Sequence, residues 1–531
     1  MRARRRAGFA TRWAALLAVA GGLLGVLAFP RFGFWPLAIV SVAILSVAVD
    51  GRRSRTAAWL GYLYGLAFMV PLASWVSLNV GPAPWLILCA ASAAFFAALA
   101  AALPLLARLP LRPLWVGAAW VLMEFFRARY PFGGFPWGRL AFSQAESPLR
   151  WFAALGGAPL VAFAVGVAGG GLAMVVTDLR FRSKRVIAGG LAVCLAVPLL
   201  GLLLSRPLDP GAPSAGRTAT VAAIQGGLPD LGLRFENTAR EVLYNHVRET
   251  LRLAREIRAG TAPQPSLVLW PENSSDVGPY TDPIARAEIT AAARAVGAPI
   301  LVGAILPGPG AHHRRNVGIL WSPTTGPGAR YVKRHPVPWG EYIPLRPLAE
   351  WISPTAKTVT DMVAGSGNGL LRGGPFPVGD VICFEVAYDE LVHSSVAAGA
   401  QLVVVQTNNS TFRYSAETYQ QLAMSQLRAV ETGRTVVQVA TTGMSALIAP
   451  DGSVLAQSGP LFAPAILDER VPLRTELTLA DRLGAEPEYA LAGLAAAGLL
   501  FVIAMSLRER RKAARVAAPP SEPAPDAMIR T

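Results

Sequence analysis

Residues 377–385 read PVGDVICFE, a strand-like run that reaches a turn at Cys383. Cys383 is the only cysteine in the polar part of the chain, since Cys89 and Cys194 lie in apolar, membrane-like runs. A single thiol where a strand gives way to a turn is a candidate nucleophile. Taken alone, such a residue is more often a buried, unreactive cysteine. The interpretation therefore depends on the chemistry that other segments supply.

Two further segments supply a carboxylate and an ammonium group. Residues 267–273 read LVLWPEN, in which Glu272 follows a strand candidate, and residues 331–342 read YVKRHPVPWGEY, in which Lys333 precedes a Pro-rich turn. A glutamate at a strand end is placed to act as a general base, and a lysine beside a sulfur stabilises a thiolate or an oxyanion. With the thiol, these are the parts needed for acyl transfer through a thioester. In isolation, a solvated loop glutamate and a surface lysine are the alternatives.

Two more carboxylates, Glu341 and Glu385, lie near these groups in the sequence. Each could orient Lys333, handle a proton or form a structural ion pair. His312 and His313 lie in a Gly/Pro loop without the spacing of a zinc motif, and neither a Walker loop nor a dinucleotide fingerprint is present. The sequence thus predicts a site that uses no metal and no cofactor.

The composition indicates a membrane protein with a sizeable soluble domain. Of 531 residues, 53% are hydrophobic and only 15% are charged. The formal net charge is +16, but the basic residues crowd into short loops between apolar runs and form no stripe interleaved with aromatics. That placement argues against nucleic-acid binding. With two of the three cysteines in apolar runs, no disulfide framework is expected in the polar domain.

Apolar runs long enough to cross a bilayer occur at seven places. Residues 113–126 are a weaker candidate, because this run is short and contains Glu124, which either serves a function within the membrane or pairs with Arg127. Counting it predicts eight spans, seven before the polar domain and one after it. The seven stronger runs are Trp13–Phe29, Phe34–Val49, Ala57–Leu78, Trp85–Ala107, Trp151–Thr177, Val186–Ser205 and Tyr489–Leu507.

The short loops also predict an orientation. With a cytoplasmic N-terminus, the inside segments hold 19 Lys and Arg residues and the outside short loops hold five. The polar segment 206–488 then lies outside the cytoplasm, and both termini lie inside. The predicted domains are a seven-helix transmembrane domain at 1–205, a catalytic domain at 217–475, a final transmembrane helix at 489–507 and a disordered cytoplasmic tail at 516–531.

In the polar segment, short β-branched runs alternate with helical stretches, which predicts one layered α/β domain. The strand candidates are Thr218–Gln225, Ser266–Trp270, Pro299–Leu306, Asn316–Trp321, Val378–Cys383, Gln401–Gln406, Thr435–Ala440 and Ser445–Ile448. The helix candidates are Phe235–Arg258, Ile284–Val296 and Glu417–Thr432.

The order of Glu272, Lys333 and Cys383 resembles the nitrilase superfamily, whose members use a Glu-Lys-Cys triad on an α-β-β-α sandwich. The segments FPW at 135–137 and VPWGEYIP at 337–344, with the predicted spans, are similar to the apolipoprotein N-acyltransferase family. This resemblance covers nearly the whole chain. It implies a multi-span α-helical membrane domain joined to an extracytoplasmic nitrilase-like α/β domain.

The resemblance also implies a reaction. Cys383 would take an acyl chain from a membrane phospholipid as a thioester, and the α-amino group of a lipoprotein's diacylglyceryl-cysteine would then receive that chain. Glu272 would be the general base, Lys333 the oxyanion stabiliser, and Glu341 and Glu385 supporting carboxylates. The expected partners are phospholipid, diacylglyceryl lipoproteins and the membrane, with the chain acting as a monomer in a bacterial inner membrane.

Two departures from the family pattern bear on substrate preference. Residues 408–412 read NNSTF where the family often has Asn-Asp-x-Trp-Phe, and residues 417–421 read ETYQQ where a His-rich stretch is common. Both flank the predicted site and leave the triad intact. The alternatives are a membrane-tethered nitrilase-like amidase and a non-enzymatic lipid-binding scaffold; the intact triad disfavours the scaffold.

Overall fold

The structure is a computed structural model that describes residues 10–179, 183–208, 217–228, 239–310, 312–352 and 354–517. The predicted disordered tail at 516–531 is wrong at its start, because a helix extends to Ala517. The rest of that tail lies outside the described residues. So do the first nine residues, predicted to be cytoplasmic, and the first four residues of the predicted helix at 235–258.

Nine helices form the apolar part of the described chain. Seven of the eight predicted runs each coincide with one helix, and the run Ala57–Leu78 covers two, which Ala73–Trp75 separate. The nine helices are α1 (Thr11–Leu27), α2 (Pro36–Val49), α3 (Ser54–Leu72), α4 (Val76–Val80), α5 (Pro82–Leu106), α6 (Arg112–Arg127), α7 (Ala153–Asp178), α8 (Lys184–Leu208) and α15 (Glu486–Ala517). Within the described ranges, four helical stretches are long and apolar enough to cross a membrane: Pro82–Leu106, Pro148–Asp178, Lys184–Leu208 and Glu486–Ala513. Helices α1 and α2 are apolar but shorter. The total of eight spans stays a prediction.

Helix α7 is central to this helical region because three consecutive glycines let other helices approach it. A methyl group added at Gly169 would lie 2.6 Å from Val42 of α2, and one at Gly171 would lie 2.8 Å from the carbonyl oxygen of Gly190 of α8. Gly170 faces α6 in the same way. Small residues allow such close backbone approach between helices.

The soluble domain contains two sheets. Its strands are β1 (Thr218–Gln225), β2 (Leu267–Leu269), β3 (Ile300–Pro307), β4 (His313–Ser322), β5 (Gly326–Val332), β6 (Asp361–Met362), β7 (Leu370–Leu371), β8 (Val378–Ile382), β9 (Leu402–Thr407), β10 (Val436–Ala440), β11 (Ala446–Ile448), β12 (Val454–Gln457) and β13 (Ala465–Pro472). One sheet has the order β13-β1-β2-β3-β4-β5, with β6 beside β4, and the other has the order β12-β11-β10-β9-β8-β7.

Helices cover the outer faces of both sheets, so the layers run α-β-β-α as predicted. Helices α9 (Ala239–Arg258) and α10 (Pro283–Val296) pack on the first sheet, and α12 (Asp389–Ala397) and α13 (Glu417–Thr432) pack on the second. Val221, Leu301 and Val404 belong to the apolar layer between the sheets. Two short helices, α11 (Arg346–Ile352) and α14 (Leu479–Leu483), complete the domain.

All eight predicted strands are present, with boundaries that differ by a few residues. The strands that the sequence reading missed include all four sheet edges: β5, β7, β12 and β13. Edge strands have one unpaired side, and β5 (GPGARYV) and β13 (AILDERVP) carry polar, Gly and Pro residues in place of a continuous apolar run. Their sequence pattern therefore resembles a loop.

A buried polar contact joins α6 to the loop that follows it. Glu124 of α6 is 1% exposed and accepts hydrogen bonds from the Leu140 backbone N–H at 2.8 Å and from Arg139 Nε at 3.4 Å. Arg127 instead donates to the carbonyl oxygen of Trp137 at 2.6 Å. The predicted pairing of Glu124 with Arg127 is therefore wrong: the hydrogen-bonded partner of Glu124 is Arg139, in the loop that follows α6.

Candidate active site

Cys383 lies directly after β8 and begins a short 3-10 turn, Cys383–Ala387. Its φ is +55°, in the left-handed region that non-glycine residues seldom adopt. The turn interrupts the strand at the carboxyl edge of the sheet and leaves the residue lining an internal cavity. The sequence placed a thiol at a strand-to-turn junction, and the structure has one there.

Glu272 follows β2, and both of its carboxylate oxygens have buried donors. Oε1 accepts from Asn316 Nδ2 at 2.6 Å and from Lys333 Nζ at 3.1 Å, and Oε2 accepts from the Asn408 backbone N–H at 2.9 Å. The residue is only 4% exposed. Three donors hold the carboxylate in one orientation at the edge of the cavity.

Lys333 follows β5 and lies between two carboxylates. Its Nζ donates to Glu272 Oε1 at 3.1 Å and to Glu341 Oε1 at 2.8 Å. Burial lowers the pKa of this lysine, but the two carboxylates beside it outweigh burial and raise the pKa well above its ordinary value. Lys333 therefore carries a positive charge in a site that is almost closed to solvent.

Burial strongly affects the thiol. It raises the pKa of Cys383, the charge of Glu272 adds to that rise, and the charge of Lys333 opposes it. Thr407 Oγ1 lies 3.5 Å from the sulfur and Gln421 Nε2 lies 3.8 Å from it. A thiol with a raised pKa is neutral at rest, so it needs a base before it can act as a nucleophile.

The two additional carboxylates have different partners. Glu341 holds Lys333 and also accepts from Asn316 Nδ2 at 3.1 Å and from the Val337 backbone N–H at 2.7 Å. It therefore orients the ammonium group and the loop after β5, one of the three roles left open by the sequence.

Glu385 caps backbone groups on both sides of the site. It accepts from the backbone N–H groups of Ile382, Arg334 and His335 at 2.9, 2.7 and 3.1 Å, and from the Tyr331 hydroxyl at 3.0 Å. Within the described ranges, no hydrogen bond joins Glu385 to Lys333. Burial raises the pKa of Glu385, and its backbone hydrogen bonds oppose that rise. Glu385 therefore joins the turn that carries the thiol to the end of β5.

Four polar residues around Glu272, Lys333 and Cys383 were not predicted from the sequence: Asn316, Asn409, Glu417 and Gln421. Asn316 bridges the carboxylates of Glu272 and Glu341, and its signal was an amide at the start of the apolar run of β4. Asn409 Nδ2 donates to Glu417 Oε2 at 2.6 Å and to Gln421 Oε1 at 3.0 Å. Residues 408–412 and 417–421 both depart from the family pattern, but nothing in the sequence indicates that these two segments are in contact.

The triad residues border a cavity of about 400 Å³. Polar groups line one side, and the other side is formed by apolar side chains of α4, α5 and the loop after α6, including Ile87, Leu88, Phe95 and Phe132. The loop after α6 also packs on the turn that begins at Cys383, since the ring of Phe135 lies 5.8 Å from that of Phe384. Within the described ranges, no group of three or more His, Cys, Asp or Glu residues could hold a metal ion.

Comparisons with known proteins cover both regions of the chain. Residues 21–171 match the family described as apolipoprotein N-acyltransferase N-terminal domain, and residues 220–474 match the family described as carbon-nitrogen hydrolase. A Mycolicibacterium smegmatis protein named apolipoprotein N-acyltransferase is 39% identical over 92% of this chain and 84% of its own length. A Pseudomonas putida protein of the same name is 32% identical over 86% of this chain and 91% of its own. Among solved structures, a variant of the Nesterenkonia AN1 amidase, from the nitrilase superfamily, aligns with 52% of this chain and 97% of its own at 22% identity and a TM-score of 0.37.

Proposed function

Because the chain belongs to the apolipoprotein N-acyltransferase family, we propose that it moves an acyl chain from a membrane phospholipid to the α-amino group of the S-diacylglyceryl-cysteine of an apolipoprotein. The protein is an acyltransferase with a carbon-nitrogen hydrolase domain and apolar helices typical of a membrane protein. The acyl chain would be carried between donor and acceptor as a thioester on Cys383.

In the first half-reaction, Glu272 takes the proton of the Cys383 thiol, and the sulfur attacks the ester carbonyl of the phospholipid. Lys333 stabilises the oxyanion that forms, because its charge is fixed at the site before reaction begins. When the carbon–oxygen bond breaks, Glu272 returns the proton to the leaving oxygen, and a lysophospholipid departs. In the second half-reaction, the acceptor amine attacks the thioester, and Cys383 leaves and regains a proton through Glu272.

The observation that carries this proposal is the cavity that joins Glu272, Lys333 and Cys383 to an apolar wall. A small amide needs no such wall, whereas binding of an acyl chain becomes more favourable with each methylene group that leaves water. The wall is formed partly by α5, one of the helices long and apolar enough to cross a bilayer. This favours a lipid substrate over the small amide of the amidase alternative.

We further propose that the protein lies in a bacterial inner membrane as a monomer that crosses the bilayer several times. The excess of basic residues in alternate short loops supports cytoplasmic termini and an extracytoplasmic catalytic domain. The corresponding domains are 1–205, 217–475 and 489–507. Donor and acceptor are both anchored in lipid, so a membrane-tethered active site raises their effective concentration.

Intact mass spectrometry of the detergent-purified protein after incubation with phospholipid tests the reaction. We expect a mass gain of one acyl chain that hydroxylamine reverses and that Cys383→Ala abolishes. We expect Glu272→Gln to slow its formation by about 10²–10⁴-fold. No adduct on the wild-type protein under these conditions would contradict the thioester mechanism and favour the amidase or scaffold alternatives.

A further inference from the structure

Glu417 is a buried carboxyl group in the cavity that the reaction outlined above does not use. It begins α13, is 1% exposed and lines the same cavity as Glu272 and Cys383. Asn409 Nδ2 donates to its Oε2 at 2.6 Å. Its Oε1 accepts no hydrogen bond within the part of the chain that the structure describes. One oxygen is thus held in place and the other is left for a ligand.

Two consecutive residues hold Glu272 and Glu417, two of the carboxyl groups that line the cavity. The backbone N–H of Asn408 binds Glu272, and the side-chain amide of Asn409 binds Glu417. Burial raises the pKa of Glu417 to about 8; the hydrogen bond from Asn409 opposes that rise and the charge of Glu272 adds to it. Among the described residues, Glu272 raises the pKa of Glu417 and Glu417 raises that of Cys383, while Arg127, Lys333 and Glu341 are the other charged groups that line the cavity.

The acceptor nitrogen must lose two protons, and the reaction of Glu272, Lys333 and Cys383 accounts for only one of them. An α-amino group has an ordinary pKa of about 7.7–8.0, so much of it arrives as ammonium at neutral pH. To become an amide nitrogen, that ammonium must lose two protons. Glu272 passes one of them to the departing sulfur of Cys383, and the other must leave before the nitrogen can attack. A second base near the thioester would remove this proton within the site and raise the fraction of acceptor that can attack.

We propose that Glu417 binds the α-ammonium group of the acceptor and takes the first of its two protons. The inference rests on the proposed acyl transfer and names the group that receives its second substrate. The incoming positive charge favours the ionised form of Glu417, so the proton held at rest passes to solvent as the acceptor binds. The carboxylate then takes one proton from the nitrogen, and the free amine attacks the thioester. Each turnover thereby releases one proton.

A second acceptor atom without a partner among the described residues lines the same cavity. Asn273 lines the cavity, and its Oδ1 is buried with no hydrogen-bond partner in the described chain. An unpaired buried acceptor costs free energy unless a ligand donates to it. An ammonium group offers three donors, which is enough for one hydrogen bond to Glu417 and another to a second acceptor such as Asn273. A neutral alcohol offers one donor and no charge.

The test separates the two half-reactions in Glu417→Gln, which keeps the size of the side chain and removes its charge. The Cys383 thioester is first formed with phospholipid and followed by intact mass. It is then released either by a synthetic diacylglyceryl-cysteine peptide or by hydroxylamine, which is uncharged at neutral pH. We expect thioester formation and hydroxylamine release to stay within about twofold of wild type, and release by the lipopeptide to fall at least tenfold at pH 7.

Raising the pH above the pKa of the acceptor amine should shrink that defect, because the amine then arrives without the extra proton. Glu417→Asp, which keeps a carboxyl group, should recover part of the lipopeptide rate. Ser415→Ala is the matched control: among the described residues, the Ser415 hydroxyl bonds the Glu417 backbone N–H and no atom of the Glu417 side chain, so its loss should leave both release rates unchanged.

Equal loss with both nucleophiles, loss of thioester formation by the same factor, or an unchanged lipopeptide rate would each overturn the role of Glu417. Failure of the underlying acyl transfer has a different signature. The wild-type protein itself would then form no thioester with phospholipid, whatever residue stands at 417.

Discussion

The indole ring of Trp137 stacks on the phenyl ring of Phe384, with ring centroids 5.3 Å apart and planes inclined by 17°. Trp137 belongs to the loop after α6, and Phe384 is the residue after the candidate nucleophile. Trp137 Nε1 also donates to Gln420 Oε1 of α13 at 2.6 Å. The buried Trp137 thus connects the helical region to the turn that begins at Cys383 and to α13.

Replacing Trp137 should disturb the turn that holds Cys383. We expect Trp137→Leu to slow thioester formation at least tenfold, because the turn loses its stacking partner and a hydrogen bond. Trp137→Phe keeps an aromatic ring and should retain most of the rate. Trp351→Leu is the matched control, since Trp351 is 83% exposed. If Trp137→Leu and Trp351→Leu have equal rates by intact-mass time course, the loop does not position the turn.

Removing the charge of Lys333 should affect both catalysis and stability. In Lys333→Met, Glu272 and Glu341 face each other without a cation, so we expect destabilisation by about 3 kcal/mol and a fall in thioester formation of at least about 10²-fold. Thermal unfolding in detergent and the acylation time course measure the two effects. The exposed Lys357→Met should change neither, and a Lys333→Met enzyme with normal acylation would exclude an oxyanion role.

Asn316 should act through the carboxylates it binds. In Asn316→Ala, Glu272 and Glu341 each lose a buried donor, and we expect kcat to fall about tenfold, which corresponds to about 1.4 kcal/mol, with little change in KM. Asn316→Asp, which adds a third carboxylate, should be worse. Steady-state kinetics with a lipopeptide acceptor provide the measurement, with the exposed Asn368→Ala as control. A change confined to KM would contradict this role.

The raised pKa of Glu417 predicts a pH-dependent stability difference. The folded protein keeps a proton on Glu417 up to about pH 8, whereas the unfolded chain loses it near the ordinary pKa of about 4.3. Its contribution to stability is therefore fully present below about pH 4 and is lost as the pH rises toward 8. Wild type should lose about 1.4 kcal/mol per pH unit across that window relative to Glu417→Gln. Parallel Tm curves from pH 5 to 8 would show that the carboxyl is not protonated in the folded state.

Asp389 links two arginines at the junction of the helical region and the soluble domain. It accepts from Arg139 Nη1 and from Arg428 Nη2, each at 2.7 Å. Burial alone would raise the pKa of Asp389, but the two guanidinium groups lower it below its ordinary value. Its stabilising effect is therefore present above about pH 4 and is lost as the pH falls through the lowered pKa.

We accordingly expect Asp389→Asn to destabilise the protein by about 3 kcal/mol at pH 7, and the deficit to narrow below pH 4. Asp451→Asn, in the turn between β11 and β12, should have a much smaller effect. Thermal unfolding of both variants across this pH range measures the difference. A deficit that does not depend on pH would mean that the carboxylate charge is not what stabilises the junction.

The sequence alone was sufficient for features that depend on neighbouring residues. Apolar runs predicted the helices, β-branched runs predicted the central strands, and the chain order of Glu272, Lys333 and Cys383 indicated the chemistry. These patterns work because helix and strand periodicity is repeated within a few residues. The edge strands were not predicted, because strands with one unpaired side lack that apolar pattern.

Only the tertiary structure decided which groups meet. Glu341 accepts a hydrogen bond from Lys333, whereas Glu385 accepts from backbone N–H groups. Glu124 is hydrogen-bonded to Arg139 and not to Arg127. The tertiary structure also placed Glu417 in the cavity. These contacts join residues on different elements, and their geometry depends on how sheets and helices pack. Local sequence cannot specify them, because the free energy that favours one partner over another arises only after burial has removed water.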